Sequence, residues 1–173
     1  PMASLVNASP IGTHSAGVGL GQTFLSGDFG INGSDSITVD LYYKYKASYS
    51  FDLLINGHLS SHSLGEKEST LVGVAAGIKA KLMELDAFTP FLIGGLGFYL
   101  PSVTRVVNNN LIRSSSTLTF GTHIGVGGEL ELNERVTVGT LLHFHNPFDV
   151  KQELAPEVEG SYYKLLITTL YSF

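Results

Sequence analysis

The sequence predicts an all-β fold, an eight-stranded antiparallel up-and-down barrel that crosses a membrane, with short turns at one rim and long loops at the other. Three observations predict it. Charged residues make up only 14 % of the 173 positions, against roughly 25 % in an ordinary soluble domain, and mean hydropathy is +0.20. No segment offers the ~20 predominantly apolar residues of a membrane helix; the longest uncharged run, around Pro90–Thr104, is broken by Pro90, Pro101, Gly94, Gly95 and Gly97. Finally, alternating segments of ten to thirteen residues recur between turn signals, which is the pattern of a barrel whose backbone groups all pair between strands.

The predicted strands are Thr13–Phe24, Ser36–Ala47, Ser50–Ser61, Ser69–Leu82, Thr89–Leu100, Leu118–Leu132, Val136–Asn146 and Ser161–Phe173. Strands of about 11 residues, rising ~3.3 Å each and tilted near 40°, cover roughly 28 Å, enough for an apolar band of ~25 Å. The first strand carries Gly17, Gly19 and Gly21 on one face. In the second, Ile37, Val39, Leu41, Tyr43 and Tyr45 share a face opposite Asp40, Lys44 and Lys46. The third follows a tight turn at Ser48-Tyr49 and brings Asp52 and Leu54 to the polar face. The fourth sets Val72, Val74, Ala76 and Ile78 against Lys79 and Lys81. The fifth is rich in glycine and aromatic residues. The sixth sets Phe120, Ile124, Val126 and Leu130 against His123, Glu129 and Glu131, and the seventh puts His143 and His145 on one face. The eighth places Lys164 on the polar face. Short turns follow the second, fourth and sixth strands; the connections Leu25–Asp35, His62–Glu68, Pro101–Thr117 and Pro147–Gly160 read as long polar loops. The whole of residues 1–173 reads as one barrel domain.

Alternation alone does not say which face is inside, because a soluble lipocalin-like barrel has the same period with faces exchanged. Charge decides it. Were the apolar faces inward, the exterior would carry too few charges and many glycines. A lysine facing lipid at mid-depth costs roughly 2–4 kcal/mol, so the lysines are expected inside. The net charge of −5 argues against nucleic acid, which calls for a basic stripe. Cysteine is absent, which removes thiol catalysis and thiolate metal sites. Pro1-Met2-Ala3-Ser4 has neither the basic nor the apolar region of a secretory leader, and decides nothing about compartment.

The terminal segment Tyr162–Phe173 ends in an aromatic residue with another two positions earlier, Tyr171. It resembles the last strand of bacterial outer-membrane barrels. Pro90–Tyr99 (PFLIGGLGFY) and Gly125–Leu132 (GVGGELEL) resemble the opacity-protein and outer-membrane-protein-A type of eight-stranded barrel. The resemblance implies residence in the bacterial outer membrane, contact with its lipid and lipopolysaccharide, and recognition of Tyr171 and Phe173 by the barrel-assembly machinery. No peptidoglycan-binding segment follows Phe173 here, so cell-wall anchoring is not carried over.

The candidate residues follow from this sidedness. Asp40, Lys44, Lys46, Asp52, His58, Lys79, Lys81, Glu129 and Glu131 form an expected lumen charge network, with Lys46 opposite Asp52 and Asp40 opposite His58. The preferred reading is a plug that fills the barrel; the alternative is a gated narrow pore whose pairs exchange partners. His123, His143, His145 and Lys164 form an outer-half polar cluster, read as interior filling in preference to a metal or pH-sensitive site. Leu54, Leu141, Leu166 and Leu170 are expected to point inward as packing, with a cavity for a small apolar molecule as the alternative. Leu141–Asn146 (LLHFHN) resembles faintly the His-x-Ser-Asn segment of outer-membrane lipid A deacylases, with His143 at the base and Asn146 at the asparagine, but His145 stands where the nucleophilic serine is needed. No cofactor, catalytic or metal site is therefore assigned. Loop residues Arg113, Asp149, Lys151, Glu153, Glu157 and Glu159 are candidates for a surface ligand or for mere solvation. The expected role is non-enzymatic: a structural or surface-interaction barrel, with a conduit for small, including hydrophobic, solutes as the alternative.

Overall fold

A computed structural model describes residues 10–83, 85, 87–107, 110–115, 117–148, 150 and 159–173, with backbone alone at 105–107, 111–113 and 115. The chain forms β1 (His14–Gly27), α1 (Asp28–Asn32), β2 (Ser36–Lys46), β3 (Phe51–Leu64), β4 (Lys67–Lys81), β5 (Phe88–Tyr99), β6 (Ser102–Val107), β7 (Asn110–Ser115), β8 (Thr119–Glu131), β9 (Val136–Pro147) and β10 (Gly160–Ser172). The strands β3-β2-β1-β10-β9-β8-β5-β4 pair in that order, and the β3–β4 ladder closes the ring. Every pairing is antiparallel, and β1 and β10 join from Ser15↔Ser172 to Gly27↔Gly160. Closure pairs each of the eight staves on both sides around the ring, as a lipid environment requires.

The short-turn rim is built from side-chain oxygens that replace missing ladder partners. Ser48 Oγ accepts the backbone N–H groups of Ser50 and Phe51 at 3.2 and 2.9 Å. Asn133 Oδ1 accepts those of Arg135 and Val136, both at 2.9 Å. These are the local hydrogen bonds through which serine and asparagine favour turns.

Three of the four long connections depart from the expected polar loops. The span His62–Glu68 is mostly strand: Leu64 pairs with Lys67 across Gly65-Glu66, and Gly65 sits at φ +63°, a left-handed conformation that glycine adopts without penalty. In Pro101–Thr117 the chain makes a hairpin, β6 on β7. Proline has no N–H to continue the β5 ladder, and Ser102–Thr104 then resumes pairing on β4 at Glu68–Thr70. In Leu25–Asp35 the chain makes the single turn α1, whose Phe29 is fully buried. Of Pro147–Gly160, residues 149 and 151–158, including Asp149, Lys151, Glu153 and Glu157, lie outside the described residues, and nothing is described of the Arg113 side chain.

The faces divide as charge placement demands. Ile37, Leu41 and Ile167 are 79, 62 and 63 % exposed on the outer wall, whereas Lys79 is 2 % exposed and Asp40 and Lys164 are 0 %. A surface this apolar is tolerated in lipid and not in water. Aromatic residues band both rims. Tyr43, Tyr49, Phe51, Phe88, Tyr171 and Phe173 stand exposed toward the short turns. Phe98–Phe120 (ring centroids 5.6 Å), Phe120–Phe148 (6.2 Å) and Phe24–Tyr163 (4.9 Å) pack toward the loops. Such girdles mark the two membrane interfaces.

Candidate functional site: the filled lumen

The interior is built in layers, each set by the inward positions of neighbouring strands. Nearest the short turns lies an ionic layer. Lys79 bonds Glu129 directly, and Lys44 lies 3.8 Å from the same carboxylate. Asp52 meets Lys81 at 3.6 Å and Lys79 at 3.9 Å. Lys79 also stands 4.2 Å above the centre of the Phe91 ring, where a cation is attracted to the aromatic face. Lys46 is opposite Asp52 in register, and its ammonium reaches over Tyr49, 5.8 Å from the ring centre. Glu131 is half-buried at the rim. Buried pairs of this kind contribute little net stability against an apolar filling. Removing one partner is what costs, so the network fixes which face is inside.

Above it lies an apolar layer. Leu54, Leu141, Leu166 and Leu170 all point inward, joined by Tyr42, Phe91 and Ile93. The void left among them, bordered below by Lys79 and Glu129, measures about 20 Å³, close to the volume one water needs. At that size this void does not itself hold a hydrophobic solute. A depression of about 390 Å³ lies on the outer wall among Leu92, Ile124, Val126, Leu142 and Phe144, facing lipid.

Next comes the pair Lys164–Asp40. Lys164 Nζ donates to Asp40 Oδ1 at 2.7 Å and to Thr38 Oγ1 at 3.2 Å. Thr38 and Tyr42 hydroxyls and the Asn56 amide donate to the same carboxylate at 3.3, 3.3 and 3.2 Å. Asp40 faces His58 in register, but its oxygens are committed to these donors, and His58 Nε2 pairs instead with the Tyr162 hydroxyl at 2.7 Å.

The outer half holds His58, His123, His143 and His145 together with Tyr99 and Tyr162. His123 is opposite His145, yet its hydrogen bond runs diagonally, Nδ1 to His143 Nε2 at 2.8 Å. His145 Nδ1 pairs with the Tyr99 hydroxyl at 3.1 Å, and the His145 ring stacks on Tyr162 with centroids 5.0 Å apart. The imidazoles rest against glycines: a Cβ at Gly95 would come within 2.5 Å of His123 Nε2, and one at Gly73 within 2.6 Å of His58 Cε1. Tight approach, not turn geometry, explains these glycines. Among the described residues no three histidine or carboxylate side chains are placed to hold a metal ion, so the geometry gives that reading no support. His143 is fully enclosed in the lumen, so the geometry adds no support to the deacylase-like reading of Leu141–Asn146. Toward the mouth the described residues Phe29, Leu71, Tyr99, Val103, Val150 and Tyr162 pack as an apolar cap.

Several of these residues were not evident from the sequence. Tyr42 lies two positions from both Asp40 and Lys44, and Tyr162 two from Lys164, so strict alternation would have placed them inside. Phe91, Ile93 and Tyr99 stand among glycines with no charged neighbour to mark their face, and Phe29 lies outside any strand.

No protein-family model and no curated protein matches the sequence. Solved structures do. Neisserial surface protein A superposes with a TM-score of 0.71 at 10 % identity, covering 93 % of this chain and 97 % of that one. The outer membrane protein OprG from Pseudomonas aeruginosa gives 0.66 at 10 % identity, with 97 and 99 % covered. Ail, the attachment invasion locus protein of Yersinia pestis, gives 0.60 at 12 % identity, with 95 and 100 % covered. Identities this low establish the fold, the eight-stranded barrel of outer-membrane proteins.

Proposed function

We propose that this chain is an integral protein of the bacterial outer membrane with a non-enzymatic role, a closed barrel that anchors a surface-exposed loop platform. The observation that carries the reading is the layered filling of the lumen by the described residues: an ionic layer, an apolar layer with a void of about 20 Å³, the Asp40–Lys164 pair, an imidazole–phenol layer and the Phe29 cap. A barrel of eight strands has little bore to begin with, and here side chains occupy it. A surface-interaction role draws fold-level support from Ail, which is an attachment invasion locus protein also solved with the heparin analogue sucrose octasulfate; fold alone does not transmit function. The partners this reading implies are outer-membrane lipid and lipopolysaccharide around the wall, the assembly machinery at Tyr171 and Phe173, and a ligand at the loops.

A narrow pore is the second reading. It is favoured by the 3.6–3.9 Å spacing of Lys44 from Glu129 and of Lys79 and Lys81 from Asp52, loose enough for partners to exchange around the direct Lys79–Glu129 bond. Single-channel recording in planar bilayers at neutral pH separates the two. The closed barrel gives no stable openings. Openings whose size changes on Lys46→Ala or Asp52→Ala would overturn it.

A further inference from the structure

Three of the outer-half imidazoles, His58, His143 and His145, have a hydrogen-bond pattern that leaves a second proton without an acceptor. His123 Nε2 faces the carbonyl oxygen of Ala76 at 3.2 Å, which only accepts, so Nε2 carries the proton and, in the neutral ring, Nδ1 is a lone pair. That lone pair takes its hydrogen bond from His143 Nε2 at 2.8 Å, which leaves His143 Nδ1 unprotonated. Among the described residues His143 Nδ1 has no partner, and neither have His58 Nδ1 and His145 Nε2; all three are buried. In whichever tautomer His58 and His145 begin, a second proton leaves each with a charged N–H at a nitrogen that faces no acceptor. A buried donor without a partner is costly, and a charged one more so.

The surroundings offer no compensating charge. From β2 the layer meets Asp40 and Tyr42, from β5 Tyr99, from β8 His123, from β9 His143 and His145, from β10 Tyr162 and Lys164, and from β3 His58 with Asn56 below it. Among the described residues Asp40 is the one carboxylate at this level, and Lys164 already holds it at 2.7 Å. Asp28 and Asp35 stand above at the mouth, accepting the backbone N–H groups of Glu159 and Leu25. The rings touch one another, with centroids 4.2 Å apart for His143–His145 and 4.9 Å for His58–His145, so successive protons place like charges in contact. His62 is the contrast: its Nδ1 faces the Ser34 carbonyl and its Nε2 the Ser60 hydroxyl, both able to accept from an imidazolium.

The layer connects directly to the cap. Tyr162 is bonded to His58 and stacked on His145, Tyr99 is bonded to His145, and the Phe29 ring of α1 meets the edge of Tyr162 with centroids 6.3 Å apart. We propose that the outer half of the lumen is an acid-released lid: protonation of His58, His143 and His145 displaces Tyr99 and Tyr162 and frees Phe29 and α1 from the mouth, opening a vestibule above the apolar layer. The ionic layer beneath is untouched, so the device stands whether or not the barrel conducts.

The chain has no cysteine, so a single nitroxide can be attached at Ile31→Cys on α1, where the side chain is 61 % exposed, and a control at Tyr49→Cys on the opposite rim, 66 % exposed. Spectra of the barrel in lipid vesicles are compared at about pH 7.5 and in steps down to about pH 3, far below the ordinary imidazole value of about 6.5. The expected result is a reversible gain in mobility at position 31 and none at 49, lost when His58→Gln and His145→Gln are combined. Nitrogen-15 shifts of the histidines in the otherwise unaltered chain supply a readout independent of those variants: they change over the same pH range as the label. An unchanged spectrum at position 31, an equal change at both positions, an undiminished response in the double variant, or a label response without imidazole protonation would overturn the proposal.

Discussion

Replacing Lys164 by methionine isolates the price of a lone buried charge. Asp40 and Lys164 are both 0 % exposed, and Lys164 Nζ stands 2.7 Å from Asp40 Oδ1. Lys164→Met keeps most of the volume and leaves Asp40 with three neutral donors, Thr38, Tyr42 and Asn56, at 3.2–3.3 Å. Breaking a buried pair by removing one partner costs about 3–5 kcal/mol. The three remaining donors hold the carboxylate toward the lower end, about 3 kcal/mol. With a urea slope of about 2 kcal/mol/M, the unfolding midpoint falls by about 1.5 M. Adding Asp40→Asn removes the orphaned charge and restores stability to within about 1 kcal/mol of the parent, because a buried pair exchanged for neutral groups is close to neutral. The assay is urea unfolding in detergent micelles, read by far-ultraviolet circular dichroism and by the mobility difference between folded and heat-unfolded chain on gels. A double variant as unstable as Lys164→Met, or a single variant within about 1 kcal/mol of the parent, would refute the reasoning.

Two glycines with opposite surroundings should respond in opposite directions. At Gly95 a Cβ would lie 2.2 Å from the Ala76 carbonyl oxygen and 2.5 Å from the Gly77 Cα, both backbone, so Gly95→Ala is expected to cost about 3 kcal/mol or more. At Gly57 nothing lies within 4 Å, and Gly57→Ala should stabilise by about 0.5 kcal/mol through the unfolded chain; the same urea assay checks both, and a reversed order contradicts the packing. Phe91→Ala opens the apolar layer and removes the ring under Lys79, with an expected loss of about 3–5 kcal/mol, visible as a lower midpoint. Phe173, 69 % exposed and stacked on His14, makes few fold-holding contacts. Phe173→Ala should therefore reduce assembled barrel in cells several-fold while changing the urea midpoint of refolded protein by less than about 1 kcal/mol; equal losses in both would assign the residue to stability alone.

The staves were legible because period two and charge act on the same residues. In β2 every second residue from Ile37 is apolar and faces out, while Asp40, Lys44 and Lys46 face in. A one-residue slip would reverse all of them. The ionic and histidine layers were legible for the same reason, since charged and imidazole side chains have one tolerable side in lipid. Tyrosine has two. Tyr42 and Tyr43 are neighbours, one buried against Asp40 and the other exposed at the membrane interface, and the amphipathic ring suits both settings. The cap was hidden for a different reason. Phe29 lies in a five-residue turn and meets Tyr162, 133 positions later in the chain, a contact that no local pattern announces. The β6–β7 hairpin was hidden by Ser102, Asn110, Ser114 and Ser115, which read as loop although all four pair in the ladder.

Sidedness is the claim on which the account rests, and nitroxide scanning along β2 in lipid vesicles measures it directly. Labels introduced singly at Ile37, Val39 and Leu41 should collide freely with dissolved oxygen, which concentrates in the hydrocarbon, and labels at Thr38 and Tyr42 should be shielded, giving a period-two profile. A profile of opposite phase, or one without alternation, would place the charged face outside and contradict the membrane-spanning barrel described above.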